Sequence, residues 1–462
     1  MQYIENHTFD ELEIGDSAEI KRILKPEDIS LFAATSGDVN PLHLDADYAQ
    51  DSRFHEIIAH GMWGGALISA VLGTELPGPG AIYLNQSLSF RRPVGLGDEI
   101  TVRVTVKEKN PKNRHVILTC QCVNQDGEDV IVGEAEVIAP TEKIRRPRTR
   151  LPEVYLHKRG ERFDDLFALA RPLEPVATAV IHPCDALSIT GAMKARDEQM
   201  ITPILVGPER KIKAAAQEAG VDIDGVEIVD VPHSHAAAAK AVELARAGRA
   251  GALMKGALHT DEVMGAVVDR EHGLRTERRM SHVFAFDVPS YPKMLFITDA
   301  AINIYPDISA KRDIVQNAIE LAQAVGVEQP RVAILSAVET INPKVTSTVD
   351  AAALCKMADR GQITGGILDG PLAFDNAISL EAAAAKHIVS DVAGRADILV
   401  APDLDAGNMI AKQLIYLAGA DAAGIVLGAR VPIMLTSRAD GELARRASAA
   451  LALLHAHHAK AI

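Results

Sequence analysis

The chain has 462 residues, of which 48% are hydrophobic and 4% aromatic, and its formal net charge is −14. This length exceeds what one hydrophobic core usually supports, so two or three domains are expected. The acidic balance gives no reason to expect nucleic-acid binding and disfavours an anionic membrane surface, and no apolar run approaches the roughly 20 residues of a membrane span.

The N-terminus and the cysteines predict a cytoplasmic location. The start, Met-Gln-Tyr-Ile-Glu-Asn, lacks the basic and apolar regions of a signal peptide. Four cysteines suit a reducing compartment. Cys120 and Cys122 lie two apart on a predicted strand and share a face, where packing is favoured over a metal site that would want four ligands. We expect no bound metal.

The first region with evident chemistry is Ser36-Gly37-Asp38-Val39-Asn40-Pro41-Leu42-His43-Leu44-Asp45, followed by His60-Gly61-Met62. A carboxylate and an imidazole can take a proton from water and deliver one to the α-carbon of a thioester-conjugated double bond. A backbone N–H at a helix N-terminus, such as that of Gly61, suits the developing enolate oxygen. Taken alone, an Asp-x-Asn-Pro turn is also a common helix initiator, because its side chains bond nearby N–H groups.

The next elements are a helix and a sheet. Residues 62–73 are apolar nearly all round, which predicts a fully buried helix. Thr101 to Val106 alternates branched apolar with polar residues, and Val116 to Val123 does so over much of its length. This period of two predicts half-buried strands.

These residues resemble the (R)-specific enoyl-CoA hydratases of the MaoC-like group. Besides residues 36–45 and 60–62, the likeness includes Ser69 and residues 84–90, with Pro93 and Gly97-Asp98. It implies a hot-dog fold, in which a curved antiparallel sheet wraps one long apolar helix. It also implies Asp38 and His43 as the catalytic pair, Gly61 as oxyanion donor and Ser69 as a helper near the pair. We take Asn40 as a candidate for binding the substrate.

A basic, proline-punctuated stretch predicts the domain boundary. Residues 143–150 hold five basic side chains in eight positions. We predict a hot-dog domain over residues 1–142, a basic linker over 143–162 and a second domain over 163–462. A solvated linker is the favoured interpretation, and contact with the phosphates of a bound nucleotide is the alternative.

After the boundary, short branched-apolar runs alternate with Ala-rich amphipathic stretches, which predicts a mostly parallel sheet covered by helices on both faces. The predicted strands lie at Val176–Ile181, Ile204–Val206, Val226–Val231, Gly251–Met254, Met294–Ile297, Val332–Leu335, Ile398–Val400 and Gly424–Leu427. Helices are predicted at residues 236–247 and 311–325. Ligands in such folds sit beyond the carboxyl ends of the strands.

Two strand ends carry polar side chains suited to anions. The segment 399–408 leads from an apolar strand into a helix predicted to begin near Asn408, where free N–H groups would face an anion. The segment Thr436-Ser437-Arg438-Ala439-Asp440 follows an apolar run, and Arg438 can hold a phosphate at two points. No phosphate-binding loop of the nucleotide triphosphate type and no clear dinucleotide-binding glycine pattern follows a strand.

The second half resembles the phosphate acetyl/butyryltransferase family. The likeness covers most of residues 165–460 and rests on segments 254–256, 273–276, 340–344, 350–354, 368–378, 401–408 and 437–440. It implies transfer of an acyl group between CoA and inorganic phosphate, with Ser437 and Arg438 at the acyl phosphate and Arg275 as a second phosphate ligand. Lys255, Thr276, Asp403, Gly407 and Asn408 are the further binding candidates.

One position departs from the acetyl-type pattern. Those enzymes place a carboxylate about seven residues past the serine, where this chain has Ala444. The Ser-Arg-Ala-Asp form is more like the butyryl-type enzymes, so Asp440 is our candidate base for the CoA thiol. The acyl preference is left open.

We therefore predict an α/β multidomain enzyme, with an N-terminal hot-dog (α+β) hydratase domain and a C-terminal α/β phosphate acyltransferase domain. The second domain is expected to be isocitrate/isopropylmalate dehydrogenase-like, with two subdomains. Its substrates would be CoA thioesters, acyl phosphate and inorganic phosphate, with no tightly bound cofactor, and the chain would form a homo-oligomer. Two alternatives remain. The second domain acts on another phosphorylated substrate or as a dehydrogenase, or it is a degenerate acyl-CoA sensor.

Overall fold

The computed structural model describes residues 3–149, 154, 156, 159–435 and 441–461. The chain divides into two compact units, Met1–Leu156 and His157–Ile462. In the described part of the chain, no helix has both the length and the apolar character needed to cross a bilayer.

The first unit consists of one sheet, one long helix and several short elements. In chain order they are β1 (Tyr3–Glu5), β2 (Ser17–Ile23), α1 (Pro26–Ser36), α2 (Pro41–Leu44), α3 (Ala46–Asp51), α4 (Gly61–Thr74), β3 (Ile82–Phe90), β4 (Glu99–Asn110), β5 (His115–Val123), β6 (Asp129–Ile138) and β7 (Arg145–Pro147).

Five antiparallel strands form the main sheet in the order β2-β4-β5-β6-β3. The two strand predictions in this unit are confirmed, because they fall within β4 and β5. One face of the sheet packs on α4, where Ile68 and Val71 meet the buried valines and leucines of the strands. Cys120 and Cys122 belong to the same core, and burial raises the pKa of the Cys122 thiol to about 12.

In the single chain, the prediction that α4 is fully buried is wrong. Ile68, Val71 and Leu72 are buried, whereas Met62 is 54% exposed and Ser69 is also exposed. The reason is that the sheet covers only one side of the helix. Gly61 and Gly65 of α4 face Phe90 and Leu88 of the edge strand β3, whose Ile82 and Phe90 are also more than half exposed.

Both ends of the predicted linker are folded. Arg145–Pro147 pairs antiparallel with Tyr3–Glu5, and Lys143 forms ion pairs with Glu5 and Glu11. At the other end, Arg159 holds Asp421 through two guanidinium nitrogens, at 2.8 and 2.9 Å from one carboxylate oxygen. The division between the units falls at residues 156 and 157, inside the predicted range 143–162.

The second unit alternates strands and helices around one large sheet. Its elements are α5 (Glu161–Ala170), β8 (Val176–Ile181), α6 (Ala186–Asp197), β9 (Ile201–Gly207), α7 (Glu209–Ala219), β10 (Glu227–Asp230), α8 (Ser234–Arg246), β11 (Ala252–Lys255), α9 (Thr260–Val267), β12 (Ser281–Asp287), β13 (Leu295–Thr298), α10 (Ile308–Ala324), β14 (Arg331–Leu335), α11 (Thr346–Asp359), β15 (Ile367–Leu372), α12 (Phe374–Ile378), α13 (Leu380–Ala385), β16 (Ile398–Val400), α14 (Leu404–Tyr416), β17 (Asp421–Leu427), β18 (Ile433–Met434) and α15 (Glu442–Ala461).

Eleven strands form this sheet in the order β10-β9-β8-β11-β18-β17-β12-β13-β16-β14-β15. Seven of its neighbouring pairs are parallel, as predicted, whereas β12 runs antiparallel to both β13 and β17, and β17 runs antiparallel to β18. All eight predicted strands are present, and β12, β15 and β18 are additional. The parallel strands β8, β11 and β18 therefore end at one edge of the sheet.

Candidate functional site

Asp38 and His43 lie on adjacent short elements near the N-terminus of α4. Asp38 follows α1 in an exposed loop, where its Oδ1 accepts a hydrogen bond of 3.2 Å from the Asn40 N–H. Asn40 caps α2 by accepting a hydrogen bond from the Leu42 N–H. His43 lies in α2, and its Nδ1 is 2.8 Å from the carbonyl oxygen of Ile58. The predicted pair is thus held by short-range turn contacts, with Asn40 as a structural member of the turn.

His60 is a third member of this group that the sequence did not single out. It is 2% exposed, and its ring centroid lies 4.0 Å from that of His43. Its Nε2 is 3.0 Å from the backbone oxygen of Asp38, so it connects α4 to the Asp38 loop. The ligand atoms of Asp38, His43 and His60 all lie within 4.8 Å of one another. The position of His60 directly before Gly61 was the available signal.

Gly61 is the first residue of α4 and lines a cavity of about 280 Å³. The N–H groups of a helix's first turn lack partners within the helix, so they are available to a negatively charged oxygen. A Cβ at this position would lie 3.0 Å from the Phe90 ring. His43, Trp63 and Phe90 line the same cavity.

Three arginines also line the cavity: Arg53, Arg91 and Arg92. Arg53 stacks on Phe54, and Arg92 pairs with Glu128 at the surface. The lining of the cavity therefore combines apolar side chains with three arginines.

Ser69 lies on the exposed stripe of α4 rather than beside the pair within this chain. It is eight residues beyond Gly61, which corresponds to about 12 Å along the helix. The single chain therefore does not bring Ser69 to Asp38 and His43 by any contact that the structure describes.

In the second unit, Arg275 and Thr276 line a cavity of about 650 Å³. Thr276 donates a hydrogen bond of 2.7 Å to the Gly428 carbonyl, and Arg275 forms a β-bridge with Ala429. These contacts fix both residues against the loop between β17 and β18. Arg278 and Arg279 also line this cavity, together with the carboxylates of Glu277, Asp307 and Asp313, and Arg278 is paired with Glu320.

Ser437, Arg438 and Asp440 lie outside the described residues. On their N-terminal side, the described chain ends at Leu435, just after β18. Met434 pairs with Met254 in parallel register, so Leu435 and Lys255 follow at the same edge. Lys255 is 4% exposed.

The helix predicted to begin near Asn408 begins at Leu404 instead. The reason is that the Asp403 side chain accepts a hydrogen bond of 2.9 Å from the Ala406 N–H and caps α14 there. Gly407 packs against the backbone, since a Cβ would lie 2.4 Å from the Asp299 oxygen. Asn408 donates a hydrogen bond of 3.1 Å to the Ala300 oxygen. These three residues therefore have structural partners, and the predicted anion site at Asn408 lacks the helix start on which it rested.

A buried polar cluster supports one wall of the larger cavity. The Asp299 carboxylate accepts hydrogen bonds of 2.9 to 3.1 Å from the backbone N–H groups of Ala301, Ile302 and Asn303. Ile302 lines the cavity. Nearby, burial lowers the pKa of His282 to about 4, against a smaller opposing effect of the Asp299 carboxylate.

Two family models match the chain. Residues 12–124 match the model described as MaoC like domain, and residues 233–452 match the model described as Phosphate acetyl/butaryl transferase. The two matches fall on either side of the division between the units.

Among similar proteins, a phosphate acetyltransferase from Rhizobium meliloti is 63% identical over 300 residues, which are 65% of this chain and 95% of the relative. The crystal structure of a branched-chain phosphotransacylase from Enterococcus faecalis V583 is 31% identical, with a TM-score of 0.54, and the match covers 61% of this chain and 99% of that one. An R-hydratase from Pseudomonas aeruginosa in the unliganded form is 49% identical, with a TM-score of 0.33, over 34% of this chain and 100% of that one.

Proposed function

Because the chain belongs to the phosphate acetyl/butyryltransferase family and carries a MaoC-like domain in its first unit, we propose that it is a bifunctional acyl-CoA enzyme. The first unit hydrates trans-2-enoyl-CoA to (R)-3-hydroxyacyl-CoA. The second unit transfers a short acyl group reversibly between CoA and phosphate. The observation that carries the first activity is the grouping of Asp38 and His43 beside the N-terminus of α4.

In the hydration, a hydroxyl oxygen from water forms a bond to the β-carbon and a proton is added to the α-carbon. With the His43 Nδ1–H donating to Ile58, Nε2 keeps a lone pair that can accept or relay a proton. Asp38 supplies the second acid/base group. The first-turn N–H of Gly61 stabilises the negative charge on the thioester oxygen. Arginines near the cavity suit the phosphates of CoA.

The hydratase proposal is tested by adding crotonyl-CoA to the purified full-length protein and resolving the enantiomers of the product. We expect the (R)-3-hydroxy product. The variant His43→Gln is compared with the control His55→Gln, which changes a surface histidine of the same unit. His43→Gln should lose about 10² or more in rate, while His55→Gln should retain the wild-type rate. Equal rates in the two variants would exclude His43.

In the acyl transfer, the CoA thiolate attacks the carbonyl carbon of the acyl phosphate, and phosphate leaves with the electrons of the broken C–O bond. Asp440 would remove the thiol proton, while Ser437 and Arg438 would hold the reacting acyl phosphate. Arg275 and Thr276 would bind phosphate from the cavity of about 650 Å³. Lys255 adds a cation at the carboxyl edge that leads to residues 436–440.

The transferase proposal is tested by incubating acetyl-CoA or butyryl-CoA with phosphate and measuring the acyl phosphate formed. We propose acetyl-CoA as the preferred substrate, because the 63% identical relative is a phosphate acetyltransferase. Arg275→Lys should raise the KM for phosphate, because lysine loses the planar two-point contact. Arg270→Lys is the control, since Arg270 is exposed and does not line the cavity. An unchanged KM in Arg275→Lys would remove Arg275 from the phosphate site.

We also propose that the enzyme is a cytoplasmic homo-oligomer in which the first unit pairs through β3 and the exposed stripe of α4. The support is that β3 is an edge strand of nine residues with exposed Ile82, Leu84 and Phe90. A long, exposed apolar edge strand offers a template for pairing with another chain. Ser69 lies on the stripe that such pairing would cover, so its role as a helper depends on this assembly. We also propose that the second unit is divided into two subdomains, as in isocitrate/isopropylmalate dehydrogenases.

A further inference from the structure

The grouping of Asp38, His43 and His60 has a second chemical property besides acid/base catalysis. Each side chain offers a donor atom, and these three atoms lie within 4.8 Å of one another. Two imidazoles and one carboxylate form a common set of protein ligands for zinc, with a fourth position left to water or substrate.

The hydrogen bonds of the two imidazoles favour metal binding. His43 Nδ1 is 2.8 Å from the Ile58 oxygen, and His60 Nε2 is 3.0 Å from the Asp38 oxygen. A carbonyl oxygen accepts only from an N–H, so each bond places the proton on that nitrogen and leaves the other ring nitrogen with a lone pair. Histidines that bind metals almost always have this arrangement, in which the second nitrogen donates to a carbonyl or carboxylate.

The burial of His60 is a second, independent observation at this site. Its Nδ1 is buried and has no hydrogen-bond partner in the described part of the chain, and the residue is 2% exposed. A buried acceptor without a partner is unfavourable, because it has lost its hydrogen bonds to water. Asp38 is exposed, and its carboxylate accepts one hydrogen bond, from Asn40, among the contacts described.

The separation of the three donor atoms is compatible with a shared metal ion. Zinc–nitrogen and zinc–oxygen bonds of about 2.0 to 2.2 Å place tetrahedral ligands about 3.5 Å apart. Ligand atoms within 4.8 Å of one another therefore need to approach by about 1.3 Å or less. The exposed Asp38 loop can supply this movement, since its side chain is not enclosed.

We propose that Asp38, His43 and His60 form a binding site for a divalent transition-metal ion of the zinc type, and that the bound ion inhibits the hydratase. Inhibition follows because the ion occupies the lone pair of His43 and the carboxylate of Asp38, which the hydration requires. This consequence rests on the proposed hydratase function, whereas binding of the ion does not. The transferase uses none of the three residues, so its activity should be unaffected.

The test begins with metal binding to the full-length protein after treatment with a chelator. Co²⁺ is titrated while its visible absorption spectrum is recorded, and Zn²⁺ affinity is measured by competition with a chromophoric chelator. Asp38→Asn, His43→Gln and His60→Gln are compared with His235→Gln and His457→Gln, which remove histidines from other parts of the chain. We expect each of the first three to weaken Zn²⁺ binding about 100-fold or more, and the two controls to leave this site unchanged.

Hydratase and transferase rates are then measured with and without Zn²⁺ in the wild-type protein. We expect Zn²⁺ to lower the hydratase rate, a chelator to restore it, and the transferase rate to stay constant. Zn²⁺ binding that is equal in wild type and in all three site variants overturns the proposal. If His60→Gln fails to fold, Asp38→Asn still decides, because Asp38 is exposed.

The outcomes also separate this proposal from the hydratase function. Site-dependent Zn²⁺ binding without any hydratase activity would support the metal site and refute the hydratase. An active hydratase that binds Zn²⁺ at these residues and is not inhibited would overturn the proposed inhibition. Activation by Zn²⁺ would overturn it as well.

Discussion

The buried histidine His282 makes the stability of the second unit depend on pH. Burial lowers the pKa of His282 to about 4 from an ordinary value of 6.5, with Asp299 opposing part of this effect. Between pH 6.5 and 4 the unfolded chain therefore binds more protons at this position than the folded chain does. Stability contributed by neutral His282 is present above pH 6.5 and is lost as the pH falls towards 4.

The magnitude follows from the difference between the two pKa values. A depression from 6.5 to about 4 corresponds to about 3 kcal/mol over the whole pH interval, of which about 2 kcal/mol is lost between pH 7.5 and pH 5. Replacing His282 by leucine removes the titrating group and keeps a similar volume. Between pH 7.5 and pH 5, the free energy of unfolding of His282→Leu should therefore fall by about 2 kcal/mol less than that of the wild type.

The assay is urea unfolding of the full-length protein at pH 7.5 and pH 5, followed by circular dichroism and by residual transferase activity. His455, whose pKa burial also lowers to about 4, titrates in both proteins, so the comparison isolates His282. His272→Leu is the control, because its side chain is 80% exposed. If His282→Leu and the wild type lose equal stability between the two pH values, His282 is not neutral and buried as described.

Three further outcomes follow from the site assignments. Asp38→Asn keeps the acceptor for the Asn40 N–H but removes the base, so hydration of crotonyl-CoA should fall roughly 10² to 10⁴-fold; a wild-type rate would refute the assignment. Arg438→Lys keeps the charge and loses the planar fork, so the KM for phosphate should rise or turnover should fall, and unchanged phosphate kinetics would exclude Arg438. Residues 1–150 and 160–462, expressed separately, should each fold and keep one activity, because each unit has its own core; a folded, dimeric first piece without hydratase activity would contradict this.

The sequence predicted best those features that short stretches of chain determine. The Asp38–His43 turn is one example, because Asn40 caps α2 locally and the five-residue spacing places both side chains together. The strands β4 and β5 were predicted from the alternation of branched apolar and polar residues, and β8 was predicted from a short branched-apolar run.

The missed features depend on contacts that are distant in the sequence or on atypical residues. β12 contains the polar residues Ser281 and His282 at buried positions, which do not look like an inner strand. β15 contains Gly370-Pro371, which indicates a turn, and the chain accommodates the proline because β15 is an edge strand. The role of His60 also escaped prediction, since its contact with Asp38 spans 22 residues.

The start of α14 illustrates how a local signal can be assigned to the wrong residue. Asp403 and Asn408 both follow an apolar strand, and either is a suitable residue for the beginning of a helix. The structure uses Asp403, because its side chain reaches the Ala406 N–H. Asn408 is then one turn inside the helix and bonds Ala300 instead. The polar groups at this strand end thus stabilise the fold.

The helix α4 shows why an apolar pattern cannot by itself predict burial within one chain. Its sequence is apolar on every side, but the sheet covers only the side that contains Ile68 and Val71. Periodicity tells how many faces of a helix avoid water, and it does not tell what covers each face. If the uncovered stripe with Met62 and Ser69 packs on a second copy, the helix is apolar all round because it has two interfaces. One is with the sheet of its own chain, and the other is with the second copy. The same pairing is what would allow Ser69, which lies about 12 Å from Gly61 along the helix, to act in a hydratase site.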